Sequence, residues 1–391
     1  MSLLLSGHKR TLQKERGAVD ALLELRKQGQ SIWLDYIRRD LIVSGSLKRL
    51  IDVDGVTGIT SNPAIFERAI DESTDYDQAI QALLAAHPKF HGTEVYDRLA
   101  IEDVRMSADL LTPIYERTGG ADGYVSLEPP PQSTRNSQET IQEARRLWRA
   151  INRPNLMIKV VATKEGVKAV EALIAEGINV NITLMFSLRH YEAVAGAYIR
   201  GVTRCPTPSN VASVASFFVS RVDAEVDRGL EQNDSQEALA LRGKIAIANA
   251  KMVYKRFREI FCGDAFAPLR QKHVRVQRPL WASTGTKNPE YSDVMYVEEL
   301  IGSDTVNTIP PATLDAFRNH GKVRGSTVLE GVSSAEEMLH RLSSQGIDLD
   351  AVGEKLQEDG AAAFASAYDR VVTAIEEKHR FGVPAASGRH S

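Results

Sequence analysis

Residues 155–185, NLMIKVVATKEGVKAVEALIAEGINVNITLM, decide the fold. The opening stretch, Asn155 to Ala162, is apolar apart from Asn155 and Lys159, and the closing stretch again carries Val, Ile, Leu and Met. Short runs of this kind read as strands covered on both faces. Between them Thr163 stands where a helix N-cap belongs, Glu165 falls in the first turn, where negative charge is favoured, and Gly177 supplies the C-terminal stop. Strand, helix and strand in immediate succession form one repeat of a parallel sheet.

Working outward, the same kind of run recurs. Upstream lie IWLDYI (32–37), GVTGIT (55–60) and GYVSLE (123–128); downstream lie VASVASFFV (211–219), RPLWAST (278–284) and DTVNTIP (304–310). Together with NLMIKVVA and NVNITLM they make eight strands, separated by amphipathic stretches that include 93–117, 134–152, 163–177 and 235–262. The pattern predicts an α/β chain, a closed (β/α)8 barrel of the TIM type, with residues 1–391 as one domain. In SNPAIFERA, Pro63 suits a first helical turn and biases Asn62 toward an extended backbone, so a strand end there runs straight into a helix. Residues 1–30 and 322–380 fall outside the repeats. They carry apolar residues at helical spacing and no catalytic cluster, which predicts an N-terminal helical addition and a C-terminal helical addition packed on the barrel. The tail VPAASGRHS reads as loose.

Composition excludes several functions. Lys plus Arg number 48 and Asp plus Glu 51, and this near balance offers no electrostatic footprint for nucleic acid or an anionic membrane. Cys205 and Cys262 form no paired motif, so neither a disulfide framework nor a thiolate metal cage is expected, and a reducing, cytoplasmic compartment fits. The start, MSLLLSGHKR, is too short in apolar residues for a signal peptide, and no run approaches a membrane span. The nine histidines are scattered without HExxH or HxH, and neither GxGxxG nor GxxxxGK occurs, so no metal and no cofactor is expected. Small molecules remain as the expected partners; the oligomeric state, monomer or homodimer, is left open.

Lys159 is the most unusual position. Burial disfavours an ammonium, and a neutral amine is what attack on a ketone requires, so a lysine in a barrel core is a nucleophile for Schiff base chemistry. The alternative is a lysine at a strand rim reaching solvent. Lys287, after WASTGT, competes on the same logic, but among Gly and Thr past the strand end a solvated lysine is ordinary. Breaking a carbon–carbon bond through a Schiff base also needs an acid/base group, hydrogen bonds to hydroxyls and an anion site. Asp35, Asn62, Glu128, Asn181, Thr183, Ser216 and Arg221 all fall within or just after different strands, as barrel active sites require. Five of them have a plain structural alternative: Asp35 as a helix cap, Asn62 as the shaper of the turn before Pro63, Glu128 as a rim carboxylate, Thr183 as a β-branched strand residue, Arg221 on a solvated helix face.

GITSNPAIF (58–66) resembles the transaldolase signature around Thr-Ser-Asn-Pro, and residues 155–187 resemble the segment that carries that family's Schiff base lysine. The likeness continues through VASFFVSRVDAEVD and RPLWASTGTKNPEYSDVMYVEELIGSDTVNTIPPATLDAF, as in the longer bacterial branch of the family. It implies an enzyme of the pentose phosphate pathway that moves a dihydroxyacetone unit between sugar phosphates. By the same likeness Lys159 forms the Schiff base and Asp35 exchanges the C4 hydroxyl proton. Glu128 and Thr183 hold a proton-shuttling water, Asn62 and Asn181 bind the dihydroxyacetone hydroxyls, and Ser216 with Arg221 takes the phosphate. Phe218 with Glu128 resembles the transferases; fructose 6-phosphate aldolases tend to have Tyr and Gln there and release free dihydroxyacetone. One departure stands out: Lys251 occupies the place assigned to a second phosphate-binding arginine, with Arg256 and Arg258 as substitutes. An aldolase, and a barrel that binds sugar phosphates without turnover, remain as alternatives.

Overall fold

The computed structural model describes residues 21–381 apart from Asp234. Eight strands, β1 (Gln30–Asp35), β2 (Gly58–Thr60), β3 (Tyr124–Leu127), β4 (Leu156–Val161), β5 (Val180–Met185), β6 (Ser213–Phe218), β7 (Arg278–Ala282) and β8 (Thr305–Ile309), pair in chain order. All pairs are parallel, and β8 returns to β1 with Thr308 opposite Trp33, so the sheet closes into the expected barrel. Every residue of β4 and of β5 is buried, because side chains alternate between a packed interior and a ring of helices.

That alternation positions the site. Trp33, Tyr124, Met157, Val214, Leu280 and Val306 point inward and pack together as an apolar plug. Two residues further along the same strands stand Asp35, Ser126, Lys159, Ser216, Ala282 and Thr308. The polar side chains therefore sit one layer above the plug, toward the C-terminal ends of the strands, the usual catalytic face of such barrels. Below the plug, the Trp33 indole donates to Asp122 Oδ1 at 2.8 Å and Arg278 Nη1 donates to Ser31 Oγ at 2.7 Å, which stoppers the other end.

Local punctuation follows the chemistry of the sequence. The Thr163 hydroxyl accepts from Gly166 N at 3.1 Å at the start of the Lys164–Ala175 helix, and Gly177 closes that segment at φ 83°. The amphipathic stretch 235–262 forms two helices, Gln236–Leu239 and Ile245–Phe261. Gly243 breaks it, turning at φ 67° while its N–H donates to Asp227 Oδ1 at 3.0 Å; an added Cβ there would meet the Tyr291 ring at 2.7 Å. The stretch 134–152 starts its helix at Ser137, with the Asn136 side chain as cap.

Residues 21–27 are helical, while 1–20 and the tail 383–391 lie outside the described residues. The region from 322 onward carries the helices Val332–Ser344 and Leu349–Phe381. The second runs along the barrel: its Lys378 ammonium donates to Ser73 O at 2.8 Å, and its Arg370 pairs with Glu67 at 2.5 Å.

Candidate active site

Lys159 lies mid-β4, opposite Asn181 of β5, with 7% of its surface exposed. Its Nζ donates to Ser61 O at 3.1 Å and contacts Glu128 Oε1 at 2.8 Å. Burial alone is thus not its whole environment, since a carboxylate lies within proton-transfer distance of the amine. Burial pushes the Glu128 carboxyl up from its ordinary range, and the Lys159 ammonium opposes that. The second oxygen, Oε2, is buried without a hydrogen-bond partner among the described residues, an acceptor left for a water or a substrate hydroxyl.

Asp35 ends β1 opposite Thr60, whose hydroxyl donates to Oδ1 at 2.7 Å and lies 2.6 Å from Thr308 Oγ1. Burial pushes this carboxyl up as well, opposed first by Lys159, then by the Thr60 hydrogen bond, and then by Arg221 and Lys287. Asn181 is held between neighbours: its Nδ2 donates to Ser126 Oγ at 3.0 Å and Ser216 donates to its Oδ1 at 2.6 Å. Asn62 caps the Pro63–Asp71 helix by accepting from Ile65 N at 3.1 Å, and the same residue borders the cavity. Arg221, at the start of the Ser220–Asn233 helix, sits with its guanidinium carbon 5.2 Å from the centroid of the Phe218 ring; burial pulls its pKa down and Asp35 opposes.

These side chains border a cavity with two lobes, which share Asn62, Lys159, Thr183, Phe218 and Arg221. The polar lobe, about 180 Å³, adds Asp35, Thr60, Ser216, Ser283, Lys287 and Thr308. The other, about 130 Å³, adds Glu128 and an apolar wall of Val161, Leu184, Ala363, Phe364 and Ala367. Nine of the ten expected site residues thus meet at one place, Asn181 through its bond to Ser216.

Lys251 does not join them. It sits in the Ile245–Phe261 helix outside the barrel, with Nζ donating to Glu330 O at 2.8 Å and 3.9 Å from Glu299 Oε2. Helical periodicity turns it toward the segment before Val332 rather than toward the strand ends. Arg256 pairs with Glu192 and Glu259 on the surface, and Arg258 borders the cleft beside Lys251. Besides Lys159 and Arg221, the basic residue that borders the cavity is Lys287, weighed above as a rival nucleophile.

Sequence reasoning missed Thr60, Thr308 and Ser126, which carrying strand alternation across from Asp35 and Lys159 would have found. It also missed the wall supplied by the C-terminal helix. Ala363, Phe364 and Ala367 are small or apolar residues at helical spacing, which carry no chemical signal in a sequence. Among the described residues no cluster of three or more His, Cys, Asp or Glu suits a metal, and no helix is long and apolar enough to cross a membrane.

The pattern of the transaldolase/fructose-6-phosphate aldolase family matches residues 32–375. The chain is 43% identical over 359 residues to a transaldolase of Mycolicibacterium smegmatis, covering 91% of this chain and 96% of that protein. It is 44% identical over 377 residues to transaldolase 2 of Nostoc sp., covering 92% and 98%, and 43% identical over 356 residues to a transaldolase of Mycobacterium tuberculosis, covering 90% and 95%. Similarity of this extent, joined to a buried lysine and two carboxylates inside a closed eight-stranded barrel, means that the chain belongs to the transaldolase/fructose-6-phosphate aldolase family.

Proposed function

We propose that the protein is a transaldolase. It moves a dihydroxyacetone unit from fructose 6-phosphate or sedoheptulose 7-phosphate to erythrose 4-phosphate or glyceraldehyde 3-phosphate, in the non-oxidative pentose phosphate pathway. The observation that carries the reading is the Lys159 Nζ, enclosed at the strand ends and 2.8 Å from Glu128 Oε1. The amine passes a proton toward Glu128 and adds to the ketose C2 carbonyl. The carbinolamine hydroxyl leaves as water, protonated through the water held by Glu128 and Thr183, and an iminium remains. Asp35 then takes the C4 hydroxyl proton, the C3–C4 bond breaks, and its electrons collapse onto the iminium as an enamine while the aldose phosphate departs. Addition of the enamine to an acceptor aldehyde, with Asp35 returning its proton, reverses the sequence, and hydrolysis of the iminium frees the product.

Asn62 and Asn181 hold the dihydroxyacetone hydroxyls. Ser216 and Arg221 take the phosphate, and Lys287, on the rim of the polar lobe, serves as the second cation in place of Lys251. Phe218 and the apolar lobe keep water from the enamine. A cytoplasmic setting and a single catalytic domain, extended by the terminal helices, go with this reading.

Borohydride reduction in the presence of fructose 6-phosphate, followed by peptide mass mapping, tests it. The adduct is expected on the peptide containing Lys159 and absent in Lys159→Ala; no trapped adduct in the intact protein refutes the proposal. Product formation with and without erythrose 4-phosphate separates transfer from simple aldol cleavage, since only transfer depends on the acceptor.

A further inference from the structure

We propose that Gln357, on the Leu349–Phe381 helix, is a positioning residue for the reaction: its amide clamps the ends of β4 and β5 and thereby holds Thr183 in the cavity. The inference rests on the transaldolase reading and adds a component that comes from outside the barrel.

The first observation is a strained backbone. Leu184, directly after Thr183, has φ 59°, a left-handed conformation that a branched side chain adopts only when its surroundings impose it. The β5–β6 register shifts between Ile182 and Met185, so Thr183 and Leu184 sit in a bulge. Bulges of this kind re-aim a side chain, and here the re-aimed residue borders both lobes.

The second is what imposes it. Gln357 is 7% exposed, and its Nε2 donates to Leu184 O at 2.9 Å and to Ala162 O at 3.2 Å, so both amide hydrogens are used on strand-end carbonyls. Ala162 N in turn donates to Thr183 O at 2.8 Å, which joins the two anchored ends to each other. One carbonyl lies three residues after Lys159 and the other one residue after Thr183. Neighbouring positions on the same helix keep the amide in register. A Cβ on Gly353 would lie 3.1 Å from the Ser187 side chain, Glu354 lies 3.2 Å from His190 Nε2, and a Cβ on Gly360 would come within 2.9 Å of the Leu184 side chain. A helix needed only for packing would fill position 357 with an apolar side chain; an amide there answers two carbonyls that the bulge leaves available.

Gln357→Met keeps the length of the side chain and removes both donors. The expected result is that the borohydride-trapped adduct forms about tenfold more slowly in single-turnover experiments. Release of glyceraldehyde 3-phosphate from adduct already formed should stay within about twofold, because Thr183 belongs to the dehydration step. Rates are read per trapped lysine, so loss of folded protein does not imitate the effect, and Gln357→Asn, which draws the amide back from both carbonyls, gives the same readout if the Met variant does not fold. In a Thr183→Ala background Gln357→Met should slow adduct formation by less than about twofold, since the two act through one another. An unchanged rate in the otherwise intact protein, or a full further loss in the Thr183→Ala background, overturns the proposal. Absence of any adduct in the unaltered protein overturns the transaldolase reading instead.

Discussion

At the residue scale, Asp35 and Glu128 are carboxyls that burial holds above their ordinary range, while Lys159 supplies the opposing charge. A base must be ionised to accept the C4 proton, so activity should fall as pH drops through the raised Asp35 pKa. The acid limb of kcat is therefore expected above the range near 4 of a free aspartate. Asp35→Asn should abolish that limb and lower kcat by roughly 10²- to 10⁴-fold while leaving the trappable adduct intact. A variant that turns over normally sinks the acid/base role. The two outlying lysines divide in the same way. Lys287→Ala is expected to raise KM for fructose 6-phosphate about tenfold, the worth of one hydrogen bond to a charged group. Lys251→Ala should leave KM unchanged and lower only the unfolding midpoint, since its Nζ is occupied by Glu330 O. Steady-state kinetics on the two variants, with urea denaturation of Lys251→Ala, checks both. Lys251 also marks where residue-level reading failed. The right residue type for an anion was present at a plausible distance along the chain, but the facing of a helix outside the sheet depends on packing that no single segment encodes. Asp35, Lys159, Asn181 and Ser216 were legible because a period of two within a strand fixes which side chains share a face.

At the scale of elements, the Ser220–Asn233 helix holds the start of the Ile245–Phe261 helix by means of a carboxyl. Asp223 accepts from Ala246 N at 2.7 Å and from the Tyr296 hydroxyl at 2.8 Å, and burial pushes its pKa up to about 7. An unfolded aspartate titrates near 4, so between about pH 4 and pH 7 the native protein retains a proton that the unfolded chain has lost. Stability should fall as pH rises through that window, and Asp223→Asn should flatten the slope. Urea midpoints measured from pH 5 to 8 give the answer, and a slope that survives the substitution rules Asp223 out as its source. The eight strands were readable because each is a short apolar run with its own boundaries. The split at Gly243 was not, because it depends on a distant Asp227 and on the Tyr291 ring.

On the scale of the whole molecule, closure of the barrel concentrates strain where the interior is tightest. A Cβ on Gly58 would fall 2.5 Å from the Trp33 indole, itself pinned by Asp122. Gly58→Ala should therefore lower stability by about 1–3 kcal/mol, measured by chemical denaturation, with the lysine site still trappable if the barrel refolds around the methyl. Wild-type stability in that variant would mean that the plug is looser than its geometry. The order of the chain adds a consequence of its own. Ala363, Phe364 and Ala367 close one side of the cavity, yet they follow the eighth strand by more than fifty residues. During synthesis the complete barrel, with Asp35, Glu128 and Lys159 already in place, emerges from the ribosome before the wall that shelters them. A nascent chain at that stage has its chemistry exposed to water, and a nonsense codon after position 320 would remove that wall together with the buried Leu356, Tyr368, Val371 and Ile375 that seat it on the barrel.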